Sequence, residues 1–306
     1  MKANFPVDYM SAVLTADAGD VEKVALVVAE CVRMGLKILP PAVNESQGNF
    51  TVACPEPVEG SADCIRFGLY SIKNFGTGVA DSIMKAVEAG GAFSDVADFL
   101  RRVPDKNLNK KSLESLIKCG ALDELAASGT PADSRGKLLA NIDMLLSFHR
   151  EHTGVSAHQS SLFGSVQSKA VLVLKDAPPA TMTQRLTWEK ELLGLYVSGH
   201  PLDAHKEKLK KQKMTVMEAK EKFPKGAETV IAGLLENLQY ILTKNGEKMV
   251  FGRLSDYSGS VEAVVFPRTL KEHEALVVAG TCVMLQGRFS LRNGESSFVV
   301  EHVKAL

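Results

Sequence analysis

The sequence predicts a multidomain α+β chain: a helical first half, a polar linker, and a five-stranded β-barrel at the end. Three observations carry this. Apolar residues recur at helical spacing up to about His152. From Thr153 to about Ala180 the periodicity fails among small polar residues and Pro178–Pro179. From Val230 the pattern alternates, with turns at "KNGE", "SG" and "RNGE".

Taken in order, "PVDYMSAVL" opens a helix behind Pro6, and a second helix from Asp20 places Val21, Val24, Val28, Cys31 and Val32 on one face before Gly35. Pro40 and Pro41 stop it. "NFTVA" and "CIRFGLY" read as short strands around a solvent loop, "CPEPVEGSAD". Helices follow "SIKNFG", Ser94 and Asn109, the last ending at Gly120. One longer helix is expected to carry Leu138, Leu139, Ile142, Leu145, Leu146 and His149. "TQRLTWEKELLG" and "GHPLDAHKEKLKKQKM" are helical, and Lys206–Lys225 holds eight lysines against three glutamates. Five strands are expected at Val230–Leu242, Lys248–Asp256, Ser260–Phe266, Cys282–Leu291 and Ser296–Val303, with a helix, "RTLKEHEALV", between the third and fourth. That order is the OB-fold. The expected domains are 1–47, 48–152, 153–182 (a flexible linker), 183–227 (a helical connector) and 228–306.

Lys+Arg and Asp+Glu both total 36, so no global field draws the chain to nucleic acid or membrane. Five scattered cysteines without a Cys-x-x-Cys pair indicate a reducing compartment. With no apolar run of about 18–20 residues and no signal-peptide core, a cytoplasmic location and no membrane partner are expected.

The most specific local signal is "SIKNFGTGVADSIMKAV", which resembles the helix-hairpin-helix motif of DNA-binding proteins. A tight turn enters a helix, Gly76 and Gly78 let a phosphate approach the backbone, and free amides at the helix start donate to it. Lys73 adds charge, Asn74 replaces the usual glycine at a left-handed position, and Phe75 lies within the turn. The competing interpretation is an ordinary packing turn. "LNKKSLESLIKCGALDEL" resembles a second hairpin, with Lys110 and Lys111 facing either phosphate or solvent. In the barrel, Tyr240, Phe251, Arg253, Phe266, Arg288 and Phe289 are candidates for stacking and pairing with single-stranded DNA. Alternation sends about half of them into the core. Eight Lys/Arg against nine Asp/Glu in 228–306 leave a purely structural barrel nearly as open. No paired strand aspartates, Walker loop or nucleophile elbow is present, so no catalytic residue is assigned. His149, His152 and His158 lack the cysteine or carboxylate company of a metal site, so no metal or cofactor is assigned either.

"KANFPVDYMSAVLT", "RMGLKILPPAVNES", "IRFGLYSIKNFG", "LIKCGALDEL", "QSSLFG" and "WEKELLGLYVSGHPL" occur in one order. They resemble the C-terminal half of the bacterial DNA polymerase III alpha subunit family, the C-family replicative polymerases. The resemblance implies that 1–47 ends a fingers region, 48–152 grips duplex DNA with tandem helix-hairpin-helix motifs, and 228–306 meets single-stranded template. It implies a sliding-clamp peptide at Gln159, Leu162 and Phe163, in which the two apolar residues fill a pocket on the clamp (the beta subunit). From the residues alone, that pair packing back on a helix stands as an equal alternative. The family's catalytic aspartates would lie upstream and its clamp-loader contacts downstream. The parent activity is Mg2+-dependent, template-directed DNA synthesis within the polymerase III holoenzyme, which this chain alone is expected to lack. The Cys54–Asp63 stretch departs from the family pattern as an insertion. A free-standing DNA-binding adaptor that recruits a clamp is the alternative, and a third is a module for protein–protein contacts.

Overall fold

The structure is a computed structural model and describes residues 2–53, 64–126, 131–153, 172–211, 214–223, 226–292 and 295–306. These form two units, Met1–Ser198 and Gly199–Leu306. The expected groups 1–47 and 48–152 therefore share one unit, and the expected connector 183–227 divides after Ser198.

In the first unit, α1 (Pro6–Ala16) and α2 (Val21–Arg33) lead to β1 (Lys37–Leu39), β2 (Thr51–Ala53) and β3 (Cys64–Arg66). The sheet order is β1-β3-β2, with β1 parallel and β2 antiparallel to β3. β1 was not legible in "KILPP", because three residues before two prolines carry no alternation to read. A 3-10 turn (Leu69–Ser71) precedes α3 (Thr77–Gly90), α4 (Val96–Arg102) and α5 (Lys110–Lys118). Asp95, not Ser94, caps α4: its carboxylate accepts from the Asp98 amide at 2.7 Å. The α5 start is capped by Asn109 as expected, and Gly120 takes φ 85° beyond its end.

The expected long helix is two: α6 (Pro131–Ala140) and α7 (Ile142–Thr153). Asn141 breaks it. Its side chain accepts from the Lys175 amide at 3.0 Å and donates to the Lys175 and Lys137 carbonyls, each at 2.8 Å. A side chain that pairs with another backbone segment competes with continuing the helix. The same contact corrects the linker: residues 172–181 pack on the helical unit rather than running free. Leu172 and Leu174 join its core, and a Cβ on Gly136 would overlap the Pro178 carbonyl oxygen. α8 (Met182–Leu193) starts in a Thr181 capping box, ends at Gly194 with φ 81°, and sends Leu192 and Leu193 into the same core, joined by Leu195 just beyond the helix.

In the second unit, a 3-10 turn (Pro201–His205), α9 (Lys206–Lys211) and α10 (Val216–Lys222) precede the strands. β4 (Glu228–Leu242), β5 (Lys248–Ser255), β6 (Ser260–Val265), β7 (Cys282–Arg292) and β8 (Glu295–Ala305) close a barrel in the order β4-β5-β6-β8-β7, with α11 (Pro267–His273) between β6 and β7. All neighbours are antiparallel except β6 and β8. This is the OB-fold. Its interior holds Ile231, Leu235, Val250, Leu254, Phe289 and Phe298, the two rings meeting edge to face at 5.0 Å.

Candidate nucleic-acid interface

The hairpin before α3 is built by alternating buried anchors with exposed positions. Ile72 and Phe75 are buried, while Lys73, Asn74, Gly76, Thr77 and Gly78 are exposed. Asn74 takes φ 63°, the left-handed conformation expected of a glycine substitute. Val79, Ala80 and Ile83 seat α3 in the core. Its N-cap is Gly76, at φ −80° and ψ 142°, and no side chain caps the helix. The first amides of a helix have no intrahelical acceptor, so those of Thr77, Gly78 and Val79 stand at the positive end of a 14-residue helix.

Neither glycine is demanded by the fold. Gly76 has an ordinary φ, and a Cβ there would meet nothing within 4 Å; a Cβ on Gly78 would meet only the Asp105 carboxylate, at 4.0 Å. Glycine at this N-cap also forgoes the hydrogen bond that Ser or Asp would supply. What the two glycines provide is open access to the amides. Two carboxylates flank the turn, and both accept hydrogen bonds: Asp81 from Tyr70, and Asp105 from Ser82 at 3.0 Å.

The second hairpin differs. The Asn109 side chain accepts from the Ser112 amide at 3.1 Å and so closes the α5 start, while Lys110 pairs with Asp143 at 3.0 Å and Lys111 is exposed. Beside it lies a cleft of about 680 Å³ lined by Lys106, Lys110, Arg150, His149 and neighbours. Lys106 and Arg150 were not singled out in the sequence, because they are 44 residues apart and nothing in either segment signals that they meet. His149 is a structural residue here: its two ring nitrogens lie 3.0 and 3.3 Å from the Leu100 and Asp105 carbonyl oxygens.

A buried ionic network supports the hairpin from beneath. Arg135, 2% exposed, donates to Asp123 at 2.8 Å and to Glu189 at 3.0 Å. Glu189 also accepts from the Val197 and Ser198 amides and the Ser198 hydroxyl. Burial pushes the Asp123 carboxyl up, against the pull of Arg135. α8, held this way, accepts the Lys73 amide on its Leu192 carbonyl at 2.9 Å.

In the barrel, alternation sorts the six candidates. Phe289 is 1% exposed and belongs to the core, so it is withdrawn as a stacking residue. Phe251 and Arg253 point outward on β5, and Phe266 is 46% exposed just beyond β6. Arg253 lies in register between Glu236 and Glu262. Arg288, on β7, pairs with Glu301. Tyr240, 57% exposed, donates to the Val277 carbonyl at 3.3 Å. Both cations thus have carboxylate neighbours, which weakens their call on phosphate. Gln159, Leu162 and Phe163 lie outside the described residues. Among the described residues no helix is long and apolar enough to cross a membrane.

Comparison with known proteins agrees with this division. The family model described as a helix-hairpin-helix motif matches residues 35–130, and that of an OB-fold nucleic acid binding domain matches 229–306. The chain is 33% identical to the DNA polymerase III subunit alpha of Saccharopolyspora erythraea over 308 residues, covering 97% of this chain and 25% of that protein. It is 33% identical to that of Borreliella burgdorferi over 313 residues (99% and 26%) and 34% identical to that of Pseudomonas aeruginosa over 307 residues (95% and 25%). The chain spans about a quarter of the length of these relatives.

Proposed function

The chain is homologous along nearly its whole length to one segment of the bacterial DNA polymerase III alpha subunit, and from that premise we propose that it is the part that holds DNA while the remainder of the polymerase performs synthesis. The uncapped α3 start, flanked by two glycines the fold does not need and by Lys73, carries this reading. Backbone amides and a lysine grip phosphate without reading bases, which suits an enzyme that must move along any sequence. The cleft with Lys106, Lys110 and Arg150 extends the grip along the duplex. The outer face of the barrel, with Phe251, Arg253 and Phe266, offers a weak platform for single-stranded template.

Gln159, Leu162 and Phe163 serve as the sliding-clamp peptide in this reading, a short apolar pair flanked by polar residues that suits pocket recognition. Nucleotide addition and its Mg2+ belong to the rest of the full-length polymerase, and the segment alone does not extend primers. Fluorescence anisotropy with a labelled duplex tests the grip. Weaker binding and a salt slope shallower by about 0.9 in Lys73→Ala support it, and affinity equal to wild type refutes the hairpin assignment. Replacing Leu162 and Phe163 by alanine is expected to abolish capture by purified sliding clamp while leaving duplex affinity unchanged; clamp capture by that variant would exclude the peptide.

A further inference from the structure

The outer wall of the barrel carries a cluster with different chemistry. α11 ends on Glu272 and His273, and His302 stands on β8. One ligand-capable atom from each lies within 4.8 Å of the other two. The two imidazole centroids are 6.0 Å apart with ring planes at 79°. None of the three belongs to the residues proposed to meet DNA or the clamp.

The fold fixes this meeting. Leu270 buries the inner side of α11, and the Thr269 hydroxyl donates to the Val300 carbonyl at 3.3 Å, tying the helix to β8. The pairing of β7 with β8 shifts register here: Gln286 faces His302 and Gly287 faces Val300, leaving Glu301 as an extra residue. Such a bulge re-aims side chains. Val300 and Val303 both enter the core, so the two residues between them, Glu301 and His302, stay outside it, and His302 is exposed beside the end of α11. Glu301 is taken by Arg288.

A second observation points to an occupant. Nε2 of His273 is shielded from solvent and has no hydrogen-bond partner among the described residues. A buried ring nitrogen left unpaired calls for an explanation, and an absent ion is one of the few available. The other charges nearby do not fill the place. Arg268 reaches Glu272 only at 3.4 Å with its own side chain almost fully exposed, and Lys271 is engaged by Glu247 at 3.0 Å.

Two imidazoles and one carboxylate suit a borderline divalent ion such as Zn2+, Co2+ or Ni2+, whereas Mg2+ and Ca2+ prefer shells of oxygen. Ligands at about 2.0–2.2 Å from zinc in a tetrahedron stand roughly 3.4 Å apart. Closing the present separations of up to 4.8 Å to that distance requires Glu272 and His302 to rotate, and both are exposed. We propose that Glu272, His273 and His302 form a surface site for a divalent transition-metal ion that pins the end of α11 to β8, with a fourth position left for water.

The test uses the full chain stripped with a chelator, then titrated with Zn2+ by calorimetry and with Co2+ by visible absorption. The expected result is one equivalent bound, cobalt bands of a low-symmetry nitrogen–oxygen site, and a higher melting temperature with metal present. His302→Ala weakens binding by on the order of tenfold or more, the scale set by losing even an outer-sphere partner. His152→Ala leaves it unchanged. Should His302→Ala fail to fold, Glu272→Gln reads the same site without loss of volume. No stoichiometric uptake by the wild-type chain, or wild-type affinity retained in His302→Ala or Glu272→Gln, overturns the proposal.

Discussion

Replacing Gly76 by alanine separates a DNA-binding hairpin from a packing turn. At φ −80° and ψ 142° an alanine is unstrained, and its Cβ meets no heavy atom within 4 Å. The Cβ brings no strain and the unfolded chain loses conformational freedom worth about 0.4–1 kcal/mol, while alanine is a poorer N-cap than glycine by a similar amount, so stability stays within about 1 kcal/mol of wild type. Adding Gly78→Ala, near only the Asp105 carboxylate, removes a helix glycine and acts in the same direction. Phosphate held by these amides makes charge-assisted hydrogen bonds worth about 1.5–3 kcal/mol each. Crowding out one of them raises the duplex Kd on the order of tenfold to a hundredfold. Thermal unfolding and duplex anisotropy on the double variant read both quantities. Destabilisation by more than about 2 kcal/mol, or an unchanged Kd, refutes the argument that these glycines exist for a ligand.

Three further outcomes follow from the buried and titrating groups. Arg135→Met leaves Asp123 and Glu189 as uncompensated buried carboxylates and is expected to cost about 3–5 kcal/mol in urea unfolding of the first unit; a loss under about 1 kcal/mol would show that solvent reaches the pair. Burial pushes the Asp203 carboxyl up, but hydrogen bonds from Tyr257, the His200 amide and Lys206 outweigh it and hold it at about 2. Because its folded value lies below the unfolded value of about 3.9, its contribution is complete above that pH and is lost as pH falls toward about 2. The melting temperature of Asp203→Asn is then expected to fall less steeply than wild type across that window, and parallel curves would refute it. Burial also raises the Cys31 thiol to about 11 and Cys119 to about 12, so alkylation near neutral pH followed by mass spectrometry finds both unmodified in the native chain.

The barrel was legible because its strands alternate and its turns are glycine-marked, and the observed strands fall within a few residues of those expected. Asn109, Gly120 and Asn74 were legible because cap and left-handed positions select few residue types. What escaped depended on distant partners. The break at Asn141 needs Lys175, and the burial of Glu189 needs Arg135 and the 197–198 amides. Phe289 was ambiguous until the register fixed which way β7 faces. The cleft cations Lys106 and Arg150 share no local pattern, so only the fold brings them together.

In the function proposed above, this segment grips duplex DNA by its backbone. The most direct measurement is the duplex Kd of the full chain on two unrelated sequences, between about 50 and 200 mM salt. Lys73 alone predicts a log–log slope of about −0.9 and a weakening of about 3.5-fold, while adding Lys106 and Arg150 steepens it to about −2.7 and roughly 40-fold, Lys110 being held by Asp143. A backbone grip gives equal affinity for the two sequences and a slope within that range. Affinity that differs between the sequences, or that ignores salt, contradicts it.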